Sequence, residues 1–562
     1  MKKLDLILVF LLGAFSVLFL YLGLPFDFTQ DLVTHDSVLA NQSYKELLSF
    51  ALSPFTPAWF YMTEIGYLRP IYYLIVKSFI DVFGLVLWPI HAAVALGAGV
   101  LACLIFALTS KITGRKLFGW LVTIFYLTIP TNAEMIVGFL SADLQYWHSC
   151  VVLGAVFSFA YVVWSPRNQR NKFFAFVGWI LLTWIAIKWK SSEKLLPVIY
   201  LAFLLLRMRW VISRLGAARF GALLGINLLM FILVIPIKMI DQPKIDYGIQ
   251  ENVPLANVYT PKDATTLKAD PKNIYFRTIV NPGHENPLTN LMLDKRPNTF
   301  TGIFGFFLGW FFWIGLLASP LLWRKTWPLS EDDRFIVSKH LMQVLATWFF
   351  ITVGSFALGA PLSEVRFLNF AIVPALILLA FEIKLFDAYF GSMHRIVKQC
   401  FHGFLILAFV FVTAQNTAFL LKWVAHFGGI QHALVESEKT IYRSYFQEEP
   451  TLSELFHRHK ELEQKAVLVG WYDLPSDWID FATQRINQQG VLFYKVRTDD
   501  DEALKQFQDR DYQVTKVGDF YFNEADPIFF RLWHAVSKQF SITSPKKNPK
   551  IVVYQITPGS TY

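Results

Sequence analysis

Charged residues are scarce in this chain of 562 residues: they make up 17% of it, whereas an ordinary soluble domain carries about 25%. Hydrophobic residues make up 54% of the chain, and its mean hydropathy is +0.41. A soluble globule could not bury that much apolar surface, so the shortage of charge excludes a soluble enzyme and an intrinsically disordered chain. The composition predicts a polytopic α-helical membrane protein.

Cysteine is scarce as well, because the chain contains only Cys103, Cys150 and Cys400. These residues lie in or beside separate apolar runs. An odd and dispersed set excludes a secreted disulfide scaffold and gives no sign of a metal knuckle. The sequence also lacks an internal repeat and a low-complexity segment. The net charge of +9 is interpreted as a topology signal rather than as affinity for nucleic acid, so no nucleic-acid partner is predicted.

Apolar runs along the first three quarters of the chain predict about eleven membrane-spanning helices, several of them shorter than about 20 residues. In the first run, over 1–24, Lys2 and Lys3 precede the apolar residues and no small-x-small cleavage site follows. An uncleaved helix is therefore favoured over a signal peptide. The other runs lie near 86–109, 117–137, 147–164, 173–187, 195–206, 220–237, 301–323, 341–359, 367–383 and 401–422.

The loops between these runs alternate in charge. Basic turns with the same parity as Lys2 and Lys3 lie at 111–116, 167–172, 207–219, 324–325 and 395–398. Because positively charged loops stay in the cytoplasm, the N-terminus is predicted to be cytoplasmic in a multi-pass cell-membrane protein, with a bacterial inner membrane as the favoured location. The larger pieces, 25–85, 238–300 and the tail, are then predicted to lie outside.

A change in composition divides the chain into a transmembrane module over 1–423 and a small extracytoplasmic α/β domain over 424–562. Strands are predicted in the tail at 466–472, 491–496, 512–522 and 551–556, and helices at 476–489 and 500–509. In the first outer loop, 71–83 is predicted to form a helix at the membrane interface. The tail shows no phosphate loop, nucleophile elbow or metal-ligand pair.

Ionisable residues accumulate against the apolar pattern at four places, all on the predicted outer side. These places are the first outer loop with Asp27, Asp31, His35, Asp36 and Arg69; the end of the third span with Glu134 and Asp143; the turn with Lys188, Lys190, Glu193 and Lys194; and the segment with Glu364 and Arg366. Taken singly, each is explained by a solvated loop, a helix cap, a snorkelling lysine or a headgroup contact. Taken together, they offer carboxylates that can accept a proton from a hydroxyl and cations that can stabilise a phosphate leaving group.

The order and spacing of these motifs resemble the GT-C superfamily of membrane glycosyltransferases, and within it the protein O-mannosyltransferase type. The elements that carry the resemblance are His35-Asp36 with Asn41, Arg69-Pro70, Gly84 with Pro89 and His91, Pro130 with Glu134 and Asp143-Leu144, Glu193-Lys194 with Pro197, and Glu364 and Arg366 with Pro374. The likeness covers roughly residues 1–390. The chain departs from the pattern where His35 replaces the first acid of the usual pair and where the Lys-Glu order near 193 is inverted.

The resemblance implies an integral-membrane glycosyltransferase. Its donor would be a sugar linked to a polyprenyl phosphate in the lipid bilayer, and its acceptor a hydroxyl of a glycan, lipid or protein on the outer face. The implied roles are Asp36 as general base with Asp31 and Asp27 as alternatives, Asp143 and Glu134 as groups that position the acceptor, Arg69, Lys190, Lys194 and Arg366 as donor-phosphate ligands, and His35, His91, Glu193 and Glu364 as supporting residues. A divalent metal ion is a possible cofactor, with Asp36 and Glu134 as its candidate ligands.

Other classes of function remain open at the level of sequence. A transporter or flippase of lipid-linked sugars is disfavoured by the lack of an inverted repeat and by few ionisable residues within the spans. The main polar residues noticed there are Asn227, Asn369, Gln415 and Asn416. A polysaccharide polymerase or ligase should carry its critical polar loop late in the chain. A receptor that only anchors its tail would not need so many spans.

Overall fold

The fold was analysed in a computed structural model. The residues that it describes are 3–22, 43–52, 70–83, 88–129, 141–164, 169–189, 195–234, 300–326, 335–359, 369–391, 395–449, 462, 467–469, 479, 482–483, 486–488, 490–496, 502–521 and 550–559. The chain divides into a helical unit, which contains the described helices up to Leu420, and a C-terminal unit, which contains the described residues from Leu421 onward.

The described secondary structure of the helical unit is helical throughout. Its helices are α1 (Lys3–Leu22), α2 (Tyr44–Leu52), α3 (Pro70–Phe83), α4 (Trp88–Thr113), α5 (Lys116–Thr128), α6 (Ser141–Trp164), α7 (Gln169–Trp189), α8 (Leu195–Leu206), α9 (Met208–Leu215), α10 (Ala217–Val234), α11 (Phe300–Thr326), α12 (Lys339–Gly359), α13 (Asn369–Gly391) and α14 (Arg395–Phe446). A single 3-10 turn, Phe335–Val337, precedes α12.

Each predicted apolar run overlaps one of these helices over its described residues, and the helix predicted over 71–83 is present as α3. The end of the run 117–137, from 130 onward, lies outside the described residues. Within the described residues, five helices are long and apolar enough to cross a membrane, and a sixth span arises if α8 and α9, which meet at a bend of 84°, count as one. Large apolar side chains on these helices point outward, among them Phe15 and Leu206, which are 70% and 74% exposed. A lipid environment explains that exposure, because apolar side chains are favourable in hydrocarbon and unfavourable in water.

Two close helix contacts depend on small residues. A Cβ on Gly99 of α4 would lie 2.8 Å from the ring of Phe10, and a Cβ on Gly13 of α1 would lie 3.0 Å from Ala102. Small residues let helix backbones approach each other, which is the usual source of packing energy between helices in lipid. The first predicted span is thus packed against the second in the helical unit.

The basic turns at 111–116 and 395–398 meet the start of α1 at one end of the helical unit, here called the basic end and defined by Asp5, Arg115, Lys116, Asp387 and Lys398. Lys116 Nζ lies 2.5 Å from the carboxylate of Asp5, so the start of α1 lies beside the start of α5. The carboxylate of Asp387 lies 3.0 Å from Lys398 Nζ and 3.7 Å from Arg115. These contacts are consistent with the shared parity predicted for the start of the chain and for the turns at 111–116 and 395–398.

The C-terminal unit is built on a four-stranded sheet in the order β1-β2-β4-β3. The strands are β1 (Val467–Val469), β2 (Leu492–Val496), β3 (Tyr512–Tyr521) and β4 (Lys550–Pro558), and one further helix, α15 (Glu502–Asp509), precedes β3. The pair β1–β2 is parallel, whereas β4 runs antiparallel to both β2 and β3. All four strands and α15 were predicted from the sequence. For the helix predicted at 476–489, six residues are described, and all are helical.

Helices cover both faces of this sheet, and successive side chains of β2 point to one face and then to the other. Leu492 and Tyr494 point to the face covered by Ile486 and Phe507. Val491 and Phe493 point to the face covered by the last turns of α14, which include Ile441 and Tyr442. Burial of both faces explains why β2 is an almost continuous apolar run.

Candidate functional site

Eleven of the thirteen predicted site residues lie outside the described residues: Asp27, Asp31, His35, Asp36, Arg69, Glu134, Lys190, Glu193, Lys194, Glu364 and Arg366. The other two are His91, in the first turn of α4, and Asp143, in the first turn of α6, where the backbone alone is described. The site is therefore built here from the described helices that flank these positions.

Three hydrogen bonds define one end of the helical unit. The indole Nε1 of Trp147 on α6 donates to the carbonyl of Ala93 on α4 at 2.7 Å. Trp184 on α7 donates from its Nε1 to the carbonyl of Ala51 on α2 at 3.0 Å. Nε2 of His148 lies 3.4 Å from the carbonyl of Ala186 on α7. The beginnings of α4 and α6 and the end of α7 thus lie together.

This end, here called the aromatic end, is defined by Trp147, His148, Trp184, Lys188 and Trp189. The Nζ of Lys188 lies 5.2 Å from the centre of the Trp184 ring, and the rings of His148 and Trp189 are 5.9 Å apart. Lys188 and His148 are both buried. A cation held over an indole face is stabilised by the ring quadrupole, so the aromatic end keeps a positive charge away from bulk water.

Gly97 explains how the Trp147 indole comes so close to α4. A Cβ at position 97 would lie 2.8 Å from Cδ1 and 2.9 Å from Nε1 of Trp147. Any larger residue there would push the indole from the helix and break its bond to the Ala93 carbonyl. His91 lies two residues before that carbonyl, so this predicted residue belongs to the aromatic end.

The predicted site residues adjoin helix ends that meet here. Asp143 lies in the first turn of α6, Lys190 follows the last residue of α7, and Lys194 precedes the first residue of α8. The helix α3, which begins one residue after Arg69, packs against both α4 and α7. Together with His91 in the first turn of α4, the stretches around Arg69, around Asp143 and at 190–194 make four that adjoin neighbouring helices at one end of the unit.

The direction of α13 adds the fifth stretch. The end of α13 lies at the basic end, because Asp387 contacts Arg115, two residues beyond the end of α4. The helices α4 and α13 pack against each other. They therefore run in the same direction, and α13 begins on the side where α4 begins. Arg366 precedes that beginning by three residues.

The short helix α2 has a hydrogen-bonded cap at its start and contacts α3. Ser43 and Glu46 form a capping box, in which the Ser43 backbone N–H donates to Glu46 at 2.8 Å and the Glu46 N–H donates to Ser43 Oγ at 3.2 Å. These bonds from Ser43 lower the pKa of Glu46. On α3, Lys77 lies 3.7 Å from Asp81 and 5.4 Å from the Tyr44 ring.

Asp81 also acts on the phenol of Tyr44. A hydrogen bond to the Asp81 carboxylate raises the pKa of Tyr44, because loss of the phenol proton would place two negative charges together. No secondary structure was predicted for this part of the first outer loop. The Ser-x-x-Glu pattern at 43–46 was the signal that could have located α2.

Sequence reasoning also passed over His148 and Trp147, which lie inside an apolar run and were counted as span residues. A histidine within a hydrophobic run was the signal, because polar side chains in a span are costly unless they serve a purpose. Among the described residues, no group of three His, Cys, Asp or Glu side chains is placed to hold a metal ion. Both candidate metal ligands, Asp36 and Glu134, lie outside those residues.

No family model, curated protein or solved structure matches this chain. The functional assignment therefore depends on its own residues and on the resemblance in motif order.

Proposed function

We propose that the chain is an integral-membrane glycosyltransferase of the GT-C type. It would move a sugar from a polyprenyl-phosphate donor to an acceptor hydroxyl on the extracytoplasmic face. One observation carries the proposal: the helices that adjoin Arg69, His91, Asp143, Lys190 and Arg366 come together at the aromatic end. Predicted site residues that are distant in sequence thus adjoin helices that lie close to one another.

Each proposed role follows from the chemistry of group transfer. Asp36 removes the proton of the acceptor hydroxyl as the new glycosidic bond forms, with Asp31 and Asp27 as alternatives. Asp143 and Glu134 orient the acceptor. Arg69, Lys190, Lys194 and Arg366 stabilise the polyprenyl phosphate as it leaves, because cations are most effective where charge develops.

Two described features of the aromatic end support this assignment. Lys188 adds a buried cation on the turn that precedes Lys190, and the tryptophans around it provide flat apolar surfaces suited to a prenyl chain or a sugar ring. A base on one side of the anomeric carbon and a phosphate on the other favour a direct displacement. The sugar should therefore invert its anomeric configuration.

The experiment measures sugar release from polyprenyl-phosphate donors by the purified full-length protein. Asp36→Asn should reduce turnover by about a hundredfold or more, which is the usual contribution of a general base. The matched control is Asp5→Asn, which removes a carboxylate at the basic end of the same unit. Full activity in Asp36→Asn would reject the base assignment, and retention of configuration would reject the direct displacement.

The same preparation, reconstituted in vesicles, distinguishes the competing functions. A transporter or flippase would move lipid-linked sugar across the bilayer without breaking the sugar–phosphate bond. A polymerase or ligase would extend a glycan instead of modifying a single hydroxyl. Loss of activity on chelation, with recovery on adding a divalent metal, would support the metal hypothesis; unchanged activity would reject it.

The proposal includes an orientation in the cell membrane, with the N-terminus in the cytoplasm and the C-terminal unit outside. The charge pairs of the basic end support it, because basic turns are retained in the cytoplasm. Protease added to intact spheroplasts should remove the C-terminal unit and leave the basic turns uncut. Protection of the C-terminal unit would reverse the orientation.

A further inference from the structure

Glu382 is a buried carboxyl inside the helical unit to which neither the sequence analysis nor the proposed function gives a role. It lies on α13 within the apolar run predicted over 367–383, and its side chain is 0% exposed. Among the described residues, neither of its carboxyl oxygens has a hydrogen-bond partner. The expectation of few ionisable residues within the spans is therefore incomplete, because it overlooked this one.

The surroundings of Glu382 are apolar. Every residue of α13 from Phe370 to Ile383 is buried, so this helix is enclosed on all sides. Room for the carboxyl comes from Gly315 on α11, where an added Cβ would lie 2.8 Å from Oε2 and 2.9 Å from Cδ of Glu382. A glycine that makes space for an acid, in a helix that is otherwise rich in Phe and Leu, indicates a site formed between α11 and α13.

No cation is available to this carboxyl among the described residues. The described charged and titratable side chains on α13 and on the helices that contact it are Lys384, Asp387 and Tyr389 on α13, His91, Cys103 and Lys111 on α4, Lys116 and Tyr126 on α5, Lys339 and His340 on α12, and Arg395, Lys398, Cys400 and His402 on α14. The side chains of Arg324 and Lys325 on α11 lie outside the described residues. None of the described side chains forms a hydrogen bond or ion pair with Glu382. An ionised carboxylate without a partner is very costly in an apolar interior, whereas the neutral acid is far less so.

The charged cluster that follows Glu382 along this helix lies at the basic end. Asp387 lies five residues after Glu382, a rise of about 7.5 Å, and it is 21% exposed in its cluster with Arg115, Lys398 and His402. A proton that reaches Glu382 therefore has only a short distance to cross from the ionic groups of that end. A small separation of α11 from α13 would open this distance to water.

We propose that Glu382 is a proton-binding site of the helical unit, neutral while α11 and α13 are packed and able to release its proton when they separate. The ligand is a proton rather than a metal cation, because among the described residues no group of His, Cys, Asp or Glu side chains is placed to complete the ligand set of a hard cation around Glu382. This site is independent of the proposed transferase chemistry. It would remain if the chain proved to be a transporter of lipid-linked sugars.

Infrared spectroscopy tests the protonation state directly in the full-length protein, purified and reconstituted in lipid. At neutral pH, the difference spectrum between the wild type and Glu382→Gln should contain the carbonyl band of one protonated carboxyl, shifted in heavy water. The matched control, Asp387→Asn, should remove a carboxylate band instead. Loss of a carboxylate band in Glu382→Gln, or no loss of the acid band, would overturn the proposal.

Gly315→Ala tests the link between proton binding and helix packing. The added methyl group should displace the carboxyl or part the helices, so that the acid band disappears at a pH lower by about one unit, a tenfold loss of proton affinity. Gly403→Ala is the matched control, because a Cβ there meets nothing within 4 Å. If the band disappeared at the same pH in both variants and in the wild type, release would not depend on the packing of α11 against α13.

Discussion

In the C-terminal unit, the ammonium of Lys495 on β2 is buried and contacts the carboxylate of Glu438 on α14, which is also buried. In the helical unit, the carboxyl of Glu382 is buried without a partner. Both are ionisable groups in an apolar interior. Only the charge of Lys495 is compensated, because β2 and α14 bring it into contact with the opposite charge of Glu438.

The difference separates two uses of a buried ionisable group. A compensated pair can remain ionised and acts as a structural contact, because each charge offsets the desolvation of the other. An uncompensated acid must be neutral. Its presence lowers the free energy of unfolding, but it supplies a group that can change its charge. Four variants test this comparison, and they are taken in order of the change in stability that each should cause.

Glu438→Gln should have the largest effect. It leaves Lys495 buried without its counter-charge, which typically costs about 3–5 kcal/mol. Thermal unfolding of the full-length protein, monitored through protease sensitivity of the C-terminal unit, measures the loss. The control is the double variant Glu438→Leu with Lys495→Met, which removes both charges and should recover most of the stability. A loss below about 1 kcal/mol in the single variant would place this pair with ordinary surface ion pairs.

Glu382→Met should have the opposite sign. It removes an acid with two unsatisfied oxygens while nearly keeping its volume, so we expect a gain of about 1–3 kcal/mol in the free energy of unfolding. The unfolding temperature of the reconstituted protein measures this gain. Destabilisation by a similar amount would mean that the carboxyl is compensated, and the comparison with Lys495 would then fail.

Gly97→Ala asks how much a satisfied polar contact contributes within the helical unit. The new methyl group would overlap the Trp147 indole and weaken its hydrogen bond to Ala93, so a loss of about 1–3 kcal/mol is expected. Gly225→Ala on α10 serves as the control, since a Cβ there meets nothing within 4 Å. Equal unfolding temperatures for the two variants would show that the close approach of α4 to Trp147 has no energetic weight.

Ser43→Ala gives the smallest effect, because it removes one exposed helix cap, with a cost of about 1 kcal/mol or less. The capping bonds lower the pKa of Glu46. The stability that these bonds contribute is therefore complete above the ordinary glutamate pKa of about 4.3, and it decreases as the pH falls through the lower pKa of the folded state. Amide hydrogen exchange in α2 measures both effects. Exchange that is insensitive to the mutation and to acid would contradict a capping role.

Periodicity and apolar run length were sufficient for most of the fold. The helix over Pro70–Phe83 and the strands β2 and β3 lie within one residue of their predicted bounds. The helix and β3 repeat apolar residues at the period of their own structure, and β2 is a short apolar run of strand length. The extension of α14 to Phe446 was missed. Its last turns carry Ser, Glu and Lys among the apolar residues, so hydropathy alone gave no sign that the helix continues.

The candidate site was predictable only as a set of polar residues on loops of the same parity. Motif order selected Arg69, Asp143 and Arg366, but which helices are neighbours depends on contacts such as Trp147 with Ala93 and Asp387 with Arg115. Such pairs are distant in sequence, and no local pattern specifies them. The same is true of Glu382, which from sequence is one charge in an apolar run.

The sequence by itself determined that this protein is dominated by apolar helices, that its basic turns share one parity and that an α/β unit follows. Composition and periodicity act locally, so neighbouring residues suffice for these conclusions. Tertiary contacts were needed to show that Lys495 has a counter-charge and that Glu382 has none among the described residues. Compensation of a buried charge depends on which side chain another helix or strand brings within hydrogen-bonding distance.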